Sequence, residues 1–237
     1  MSPDIRPGRR STVVIAVTGA VILLLAWASR TAERDTAGRK EQARSEAAAP
    51  SSHPETRSGH PDQQALGRPD APVVMVEYAD YRCGYCGRFT RTTEPELIER
   101  YVDQGILRIE WRHFPVLGEE SERAARAAWA AGRQGRFQEF HTLAYDPGAT
   151  ARAGGFTEKG LTALARRAGV ADLERFTRDL RGRGAAAAVR ADRKEAEQAG
   201  MNSTPSFLIN GVPVIGAQPT EVFVEEIEDA YADTAER

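Results

Sequence analysis

Cys83 and Cys86 are the only cysteines in this 237-residue chain, and two residues separate them. A Cys-x-x-Cys pair can support reversible disulfide exchange, a structural bridge or half of a zinc site. An apolar run, Val73-Val74-Met75-Val76, precedes the pair and reads as a buried strand. The run breaks at Ala79-Asp80. Beyond the thiols, Phe89, Leu97, Ile98 and Tyr101 recur at near-helical spacing. The cysteines therefore fall where a strand hands over to the first turn of a helix. Unpaired N–H groups and the positive end of the helix dipole stabilise a thiolate there, and the thiolate is the nucleophile of disulfide exchange. Cys83, nearer the loop, is expected to be exposed and to exchange with a substrate. Cys86, deeper in the turn, is expected to attack the mixed disulfide from within. The size of the pKa shift sets the direction. A fall of ~4 units from about 8.5 favours the thiolate by ~5 kcal/mol and makes the disulfide form a strong oxidant. A small fall leaves a reductant.

Other residues bear on the same chemistry. Glu77 lies in the first strand, and alternation allows it to face the thiols. A partly buried carboxyl there would have a raised pKa and could accept the Cys86 proton. The competing orientation is a Glu facing solvent. Arg82 and Arg88 flank the pair and read as solvated charges. A zinc site would need two more ligands, and the folded region offers only His113, His141 and carboxylates, so no metal is expected at the thiols. His113 at a strand end reads as structural, since a catalytic His needs a placed partner. A net charge of -2 gives no electrostatic case for nucleic acid, and no nucleotide, haem or flavin motif stands out.

The elements that must position the thiols follow from periodicity. Ile106-Leu107-Arg108-Ile109-Glu110-Trp111 alternates and reads as a strand parallel to the first, closing a right-handed βαβ unit. From Glu119 to Gly200 the pattern is helical in several pieces: a helix through Ala131, a second around Phe137 to Tyr145, a Gly-rich loop to Gly155, a third capped by Thr157, a fourth from Asp172 to Leu180 and a last from Ala185 to Ala199. Ser206 to Ile209 is a strand, Asn210-Gly211 a hairpin turn, and Val212 to Ile215 the return strand. A closing helix spans Thr220 to Tyr231.

Asp80-Tyr81-Arg82-Cys83-Gly84-Tyr85-Cys86 resembles the active-site stretch of the DsbA-like thiol–disulfide oxidoreductases of the thioredoxin superfamily. The lead-in Gly67-Arg68-Pro69-Asp70-Ala71-Pro72 and the later His113-Phe114-Pro115 resemble that family too. The resemblance implies an α/β thioredoxin-like fold with a large helical insertion, about 118–200, in a domain from 67 to 237. It implies that Thr204-Pro205 is the cis-proline position facing the cysteines, with the Thr204 backbone open to an extended substrate chain. Gly84-Tyr85, the dipeptide that tunes the redox poise, also resembles that of bacterial disulfide isomerases, so reduction or isomerisation stays beside oxidation. The implied partners are thiol-containing secreted proteins and a membrane redox partner that resets the site. No cofactor and a monomeric state are expected.

Residues 1–30 read as a membrane signal. Arg6, Arg9 and Arg10 precede an uncharged run from Thr12 to Ala28. Its roughly 26 Å helical length just spans a thin hydrocarbon core, with the basic flank inside. The alternative is a cleaved secretory signal ending near Ala28. Either route delivers the domain to an oxidising compartment. Residues 31–66 nearly lack large apolar side chains and are expected to be a disordered linker, with His53 and His60 as solvated residues.

Overall fold

The computed structural model describes residues 63–235. The expected anchor at 12–28, most of the linker and both linker histidines lie outside that range. Among the described residues, no helix is long and apolar enough to cross a membrane.

One five-stranded sheet organises these residues, in the order β1-β3-β2-β4-β5. Its strands are β1 (Ala65–Leu66), β2 (Val73–Ala79), β3 (Leu107–His113), β4 (Ser206–Ile209) and β5 (Val212–Ile215). Strands β2 and β3 run parallel, with Glu77 opposite Trp111. The other pairings are antiparallel. The sheet thus begins before the expected domain start at 67. A two-residue strand is too short to leave a periodic trace. Gly67 follows it at φ 100°, where an added Cβ would sit 2.5 Å from the Leu107 carbonyl, so the chain turns there on the one residue without that atom. The β4–β5 turn has Asn210 at φ 45° and Gly211 at φ 90°, the pair of positive φ values that a two-residue hairpin requires.

Helix α1 (Gly84–Thr92) leaves the end of β2 and runs into α2 (Glu94–Leu97), which a π-turn, Ile98–Val102, extends. Between β3 and β4 stand α3 (Glu119–Gly132), α4 (Phe137–Tyr145), α5 (Pro147–Ala153), α6 (Glu158–Arg167), α7 (Leu173–Arg181) and α8 (Arg183–Gln198), and α9 (Thr220–Ala235) closes the described chain. The structure replaces one expected loop with α5. Asp146 ends α4, yet its carboxylate also accepts from Gly148 N and Ala149 N, with Pro147 at the first helical position. The dipeptide that stops one helix is therefore also a start signal for the next.

Alternation along β2 and β3 divides the core. Val73, Met75, Ile109 and Trp111 join Phe89, Phe137, Phe140, Phe207 and Phe223 in the larger cluster. Val76 and Tyr78 face the other way, into a smaller cluster with Phe114, Ala196 and Met201. The Phe89 ring lies 4.5 Å from Phe207 and 5.1 Å from Phe223, centroid to centroid, which fixes α1 to the sheet.

Candidate active site

The cysteine turn is built from backbone geometry. Asp80, the residue after β2, is buried and accepts from Arg82 N through Oδ1 (2.8 Å) and from Val116 N and Leu117 N through Oδ2 (2.8 and 2.9 Å). One carboxylate thus ties the cysteine loop to the loop after β3. The Cys83 N–H donates to Asp80 O at 3.0 Å, and the Cys83 carbonyl accepts from Gly87 N at 3.1 Å, opening α1 with Cys83 as its extended N-cap residue. Gly84 has open space where a side chain would stand, and Tyr85 is 64% exposed. The pair therefore sits under a bare, projecting turn.

The two sulfurs differ. Cys83 retains 9% of its surface and Cys86 none. Cys83 is less exposed than its sequence position suggested, because the Thr204–Pro205 segment leans over it. The Cys83 Sγ–H donates to the Thr204 carbonyl at 3.3 Å, and the Thr204–Pro205 bond is cis. The Cys83 thiol is brought down to about 5, chiefly by the hydrogen bond from the Cys86 thiol, with help from the Thr204 side chain and the N–H groups of Cys86 and Tyr85, against the opposing effect of burial. Cys86 moves the other way. Burial, then the hydrogen bond it gives to Cys83, then the charge of Glu77 push its thiol far up.

Glu77 is fully buried on the thiol face of β2. Burial comes first in raising its pKa well above the carboxylate range, followed by the charges of Glu94 and, more weakly, Cys83, while the Trp111 indole N–H opposes them. Neither carboxylate oxygen has a hydrogen-bond partner. Around it stand groups to which the sequence alone assigned no role at the thiols. His141 of α4 receives or gives a hydrogen bond at Nδ1 with the Tyr81 hydroxyl (3.1 Å), and its Nε2 lies 3.6 Å from Glu94 Oε2. Glu94 Oε1 accepts from Gln138 Nε2 at 3.2 Å. One donor atom from each of Glu77, Glu94 and His141 lies within 4.8 Å of the others, so this is where a metal could be held. His113 stays structural: it is buried, its pKa falls to about 3 through burial and then the neighbouring His141, and its backbone N–H donates to Asp192 at 3.0 Å.

Cys83, Cys86, Glu77, Thr204 and Pro205 thus converge at the carboxyl end of β2, with Gly84 and Tyr85 on the rim. Asp80, Tyr81, Glu94 and His141 were missed. An Asp two residues before a turn carries a local signal, since its side chain readily caps nearby N–H groups. The other three carry none.

The arrangement has relatives. A family model described as Thioredoxin matches residues 60–229. The chain is 31% identical over 152 residues to the probable disulfide bond formation protein D of Bacillus anthracis, covering 63% of this chain and 70% of that one. It is 34% identical over 177 residues to the Na(+)/H(+) antiporter NhaA 1 of Salinispora arenicola, covering 73% of this chain but 26% of the antiporter, so it spans about a quarter of that relative. Among solved structures, alpha-DsbA1 of Wolbachia pipientis superposes with a TM-score of 0.62 and 25% identity over 73% of this chain and 92% of that one.

Proposed function

The chain belongs to the thioredoxin family, in its DsbA-like branch, and from that membership we propose that it is an extracytoplasmic thiol–disulfide oxidoreductase that forms disulfides in secreted proteins by exchange at Cys83 and Cys86. The observation that carries this reading is the split between the two thiols, Cys83 drawn down to about 5 and Cys86 pushed up. A stabilised thiolate favours the reduced form and makes the disulfide form the electron acceptor. The nucleophile of thioredoxin sits at about 7 and that of DsbA at about 3.5, and Cys83, at about 5, is drawn down from the free thiol toward the oxidising end of that range. The Gly84-Tyr85 dipeptide keeps isomerisation as the second reading.

In the oxidising direction, a substrate thiolate attacks Cys83 Sγ and the Cys83–Cys86 bond breaks. Cys86 leaves with the electron pair and takes a proton from Glu77. A second substrate thiolate then attacks the substrate sulfur of the mixed disulfide. Cys83 leaves as a thiolate, the substrate gains its disulfide, and the enzyme has gained two electrons, with the Glu77 proton now on Cys86. Resetting runs the steps backwards, with Glu77 accepting the proton from Cys86. The Thr204 carbonyl beside the Cys83 sulfur supports pairing with an extended substrate chain, which would hold the incoming sulfur in line.

Around this centre we place a domain that runs to 237 and whose sheet starts at Ala65, ahead of the expected boundary at 67, with a linker over most of 31–66. Residues 12–28 anchor the chain in the membrane with the domain outside the cytoplasm. A membrane redox partner resets the site, and the chain acts as a monomer. Membrane fractionation of the full chain checks the anchor; recovery in the soluble fraction would remove it.

The test of the reaction is Cys83→Ser. Oxidation of a reduced peptide dithiol should fall to the uncatalysed rate. In the unsubstituted chain, alkylation of Cys83 should be half-maximal near pH 5. Unchanged turnover in the variant, or a midpoint near the free-thiol value of about 8.5, would sink the assignment.

A further inference from the structure

Glu77, Glu94 and His141 come from three separate elements, β2, α2 and α4, and meet in the interior at 0%, 2% and 2% exposure. Neither carboxylate is paired with an arginine or lysine among the described residues. Both Glu77 oxygens, Glu94 Oε2 and His141 Nε2 are buried beyond hydrogen-bond distance of any partner, the nearest relief being the Trp111 indole N–H at Glu77 and the 3.6 Å approach of His141 Nε2 to Glu94 Oε2. Interiors seldom leave acidic groups this way, because buried charges are paired or coordinate metals.

We propose that Glu77, Glu94 and His141 form a site for one divalent cation of the zinc class, distinct from the thiol pair. The three donor atoms already lie within 4.8 Å of one another. Zinc bonds of about 2.0–2.2 Å to N and O require donors roughly 3.4 Å apart, so small side-chain rotations close the site. Its outer partners are in place. Tyr81 holds His141 by Nδ1 and leaves Nε2 inward, and Gln138 holds Glu94 by Oε1 and leaves Oε2 inward. Such second contacts fix the orientation of metal ligands. Two carboxylates and one imidazole suit zinc, cobalt or a similar ion. Calcium takes about 6–8 oxygens, and magnesium an octahedron of oxygens, whereas this buried trio offers two carboxylates and an imidazole nitrogen. Three protein donors leave a fourth zinc position open. An ion here would occupy the carboxyl that exchanges a proton with Cys86, so loading should slow the thiol chemistry. That consequence rests on the proposed function; the binding does not.

The experiment uses the full chain carrying Cys83→Ser and Cys86→Ser together, so that no sulfur can ligate. Zinc chloride is supplied to the folded chain and, because the trio is buried, also during refolding, and retained metal is measured after dialysis. One zinc per chain is expected. Adding Glu94→Gln, which keeps shape, should weaken binding at least about tenfold, and Tyr81→Phe about 10–100-fold. Should Glu94→Gln fail to fold, the cobalt(II) spectrum of the chain with the trio intact answers instead, showing nitrogen and oxygen ligands without sulfur charge transfer. No retained zinc, or zinc that binds the unsubstituted chain and is lost in the double-serine chain, overturns the proposal. Failure here leaves the Cys83→Ser exchange result untouched, so the two readings fall separately.

Discussion

Strands β2 and β3 bury charge on both of their faces, and the two faces treat it in opposite ways. On the α8 side, Arg108 donates to Glu110 Oε1 at 2.9 Å and Arg112 to Glu110 Oε2 at 2.8 Å. Arg112 also reaches Glu195 at 2.9 Å, where the Tyr78 hydroxyl joins at 3.2 Å. Glu110 and Glu195 there each meet a guanidinium. On the thiol side, directly through the sheet, Glu77 has no arginine or lysine beside it, and only the Trp111 indole N–H works against its burial. Paired burial gives a rigid edge whose charges are fixed. Unpaired burial gives a group whose proton or counter-ion is free to change, which redox chemistry at a neighbouring thiol requires.

The sharpest way to break that contrast is to remove one partner from the paired face. Glu110→Ala leaves Arg108 and Arg112 without their shared carboxylate, and truncating one member of a buried network costs about 3–5 kcal/mol. Urea unfolding should report that loss, while the exchange rate of the folded fraction stays at the unsubstituted level. A loss below about 1 kcal/mol would mean that this face is held by packing alone.

Next comes Glu77→Gln. Losing a positioned acid–base group should slow the attack of Cys86 in the resetting direction about a hundredfold, read as accumulation of the Cys83 mixed disulfide when the reduced chain is mixed with a small disulfide in rapid-quench experiments. The two faces should also answer pH with opposite sign. Glu77 has a raised folded pKa, so its contribution is fully present below the unfolded value and is lost as pH rises through the raised one. For Glu110, burial works upward, but hydrogen bonds from Arg108 and Arg112 hold the folded pKa below the usual range. Its contribution is present above the unfolded value and is lost as pH falls through the lowered one. Glu77→Gln should therefore flatten the alkaline side of the stability profile, and Glu110→Gln the acid side. Parallel profiles in the two variants would erase the distinction.

Asp80 tests the boundary between the faces. Its removal orphans the N–H groups of Arg82, Val116 and Leu117. Asp80→Ala should cost about 1–3 kcal/mol. It should also loosen the cysteine turn, seen as faster amide exchange at Arg82 and Leu117. Protection equal to that of the unsubstituted chain would show that the turn is held by its own backbone.

How far these features could be read from residues alone depends on their range. Cys83 and Cys86 at a helix start are local facts, set by an apolar run on one side and helical spacing on the other. Alternation along β2 left Glu77 two directions, inward or toward solvent, because the side-chain period is two, and only the packed sheet selects the inward one. Glu94 and His141 were opaque. Each sits on a helix where a polar residue reads as surface and an imidazole among Phe137, Phe140 and Tyr145 reads as packing. Only the tertiary crossing of α2, α4 and β2 brings them together. The same limit hid the paired face: Arg108, Glu110 and Arg112 alternate as a solvent side would, and α8, supplying Glu195, covers them from far along the chain. The helical stretch was legible as helix, but Asp146-Pro147 carried stop and start signals at once.

The smallest expected effect calibrates the rest. Arg193 Nε lies 3.0 Å from Glu197 Oε1 one turn along α8, with both side chains about half exposed. This pair has the same chemistry and nearly the same distance as Arg108 with Glu110, but water surrounds it. Solvent screens the attraction, and holding two long side chains in register costs entropy, so Arg193→Ala should change stability by about 0.3–0.5 kcal/mol. That change should vanish in high salt, whereas the Glu110 effect should persist, because buried pairs are screened far less. Urea unfolding of both variants at low and high salt makes the comparison. Equal salt sensitivity would mean that burial, and not pairing, had been misassigned as the difference between the charges of this molecule.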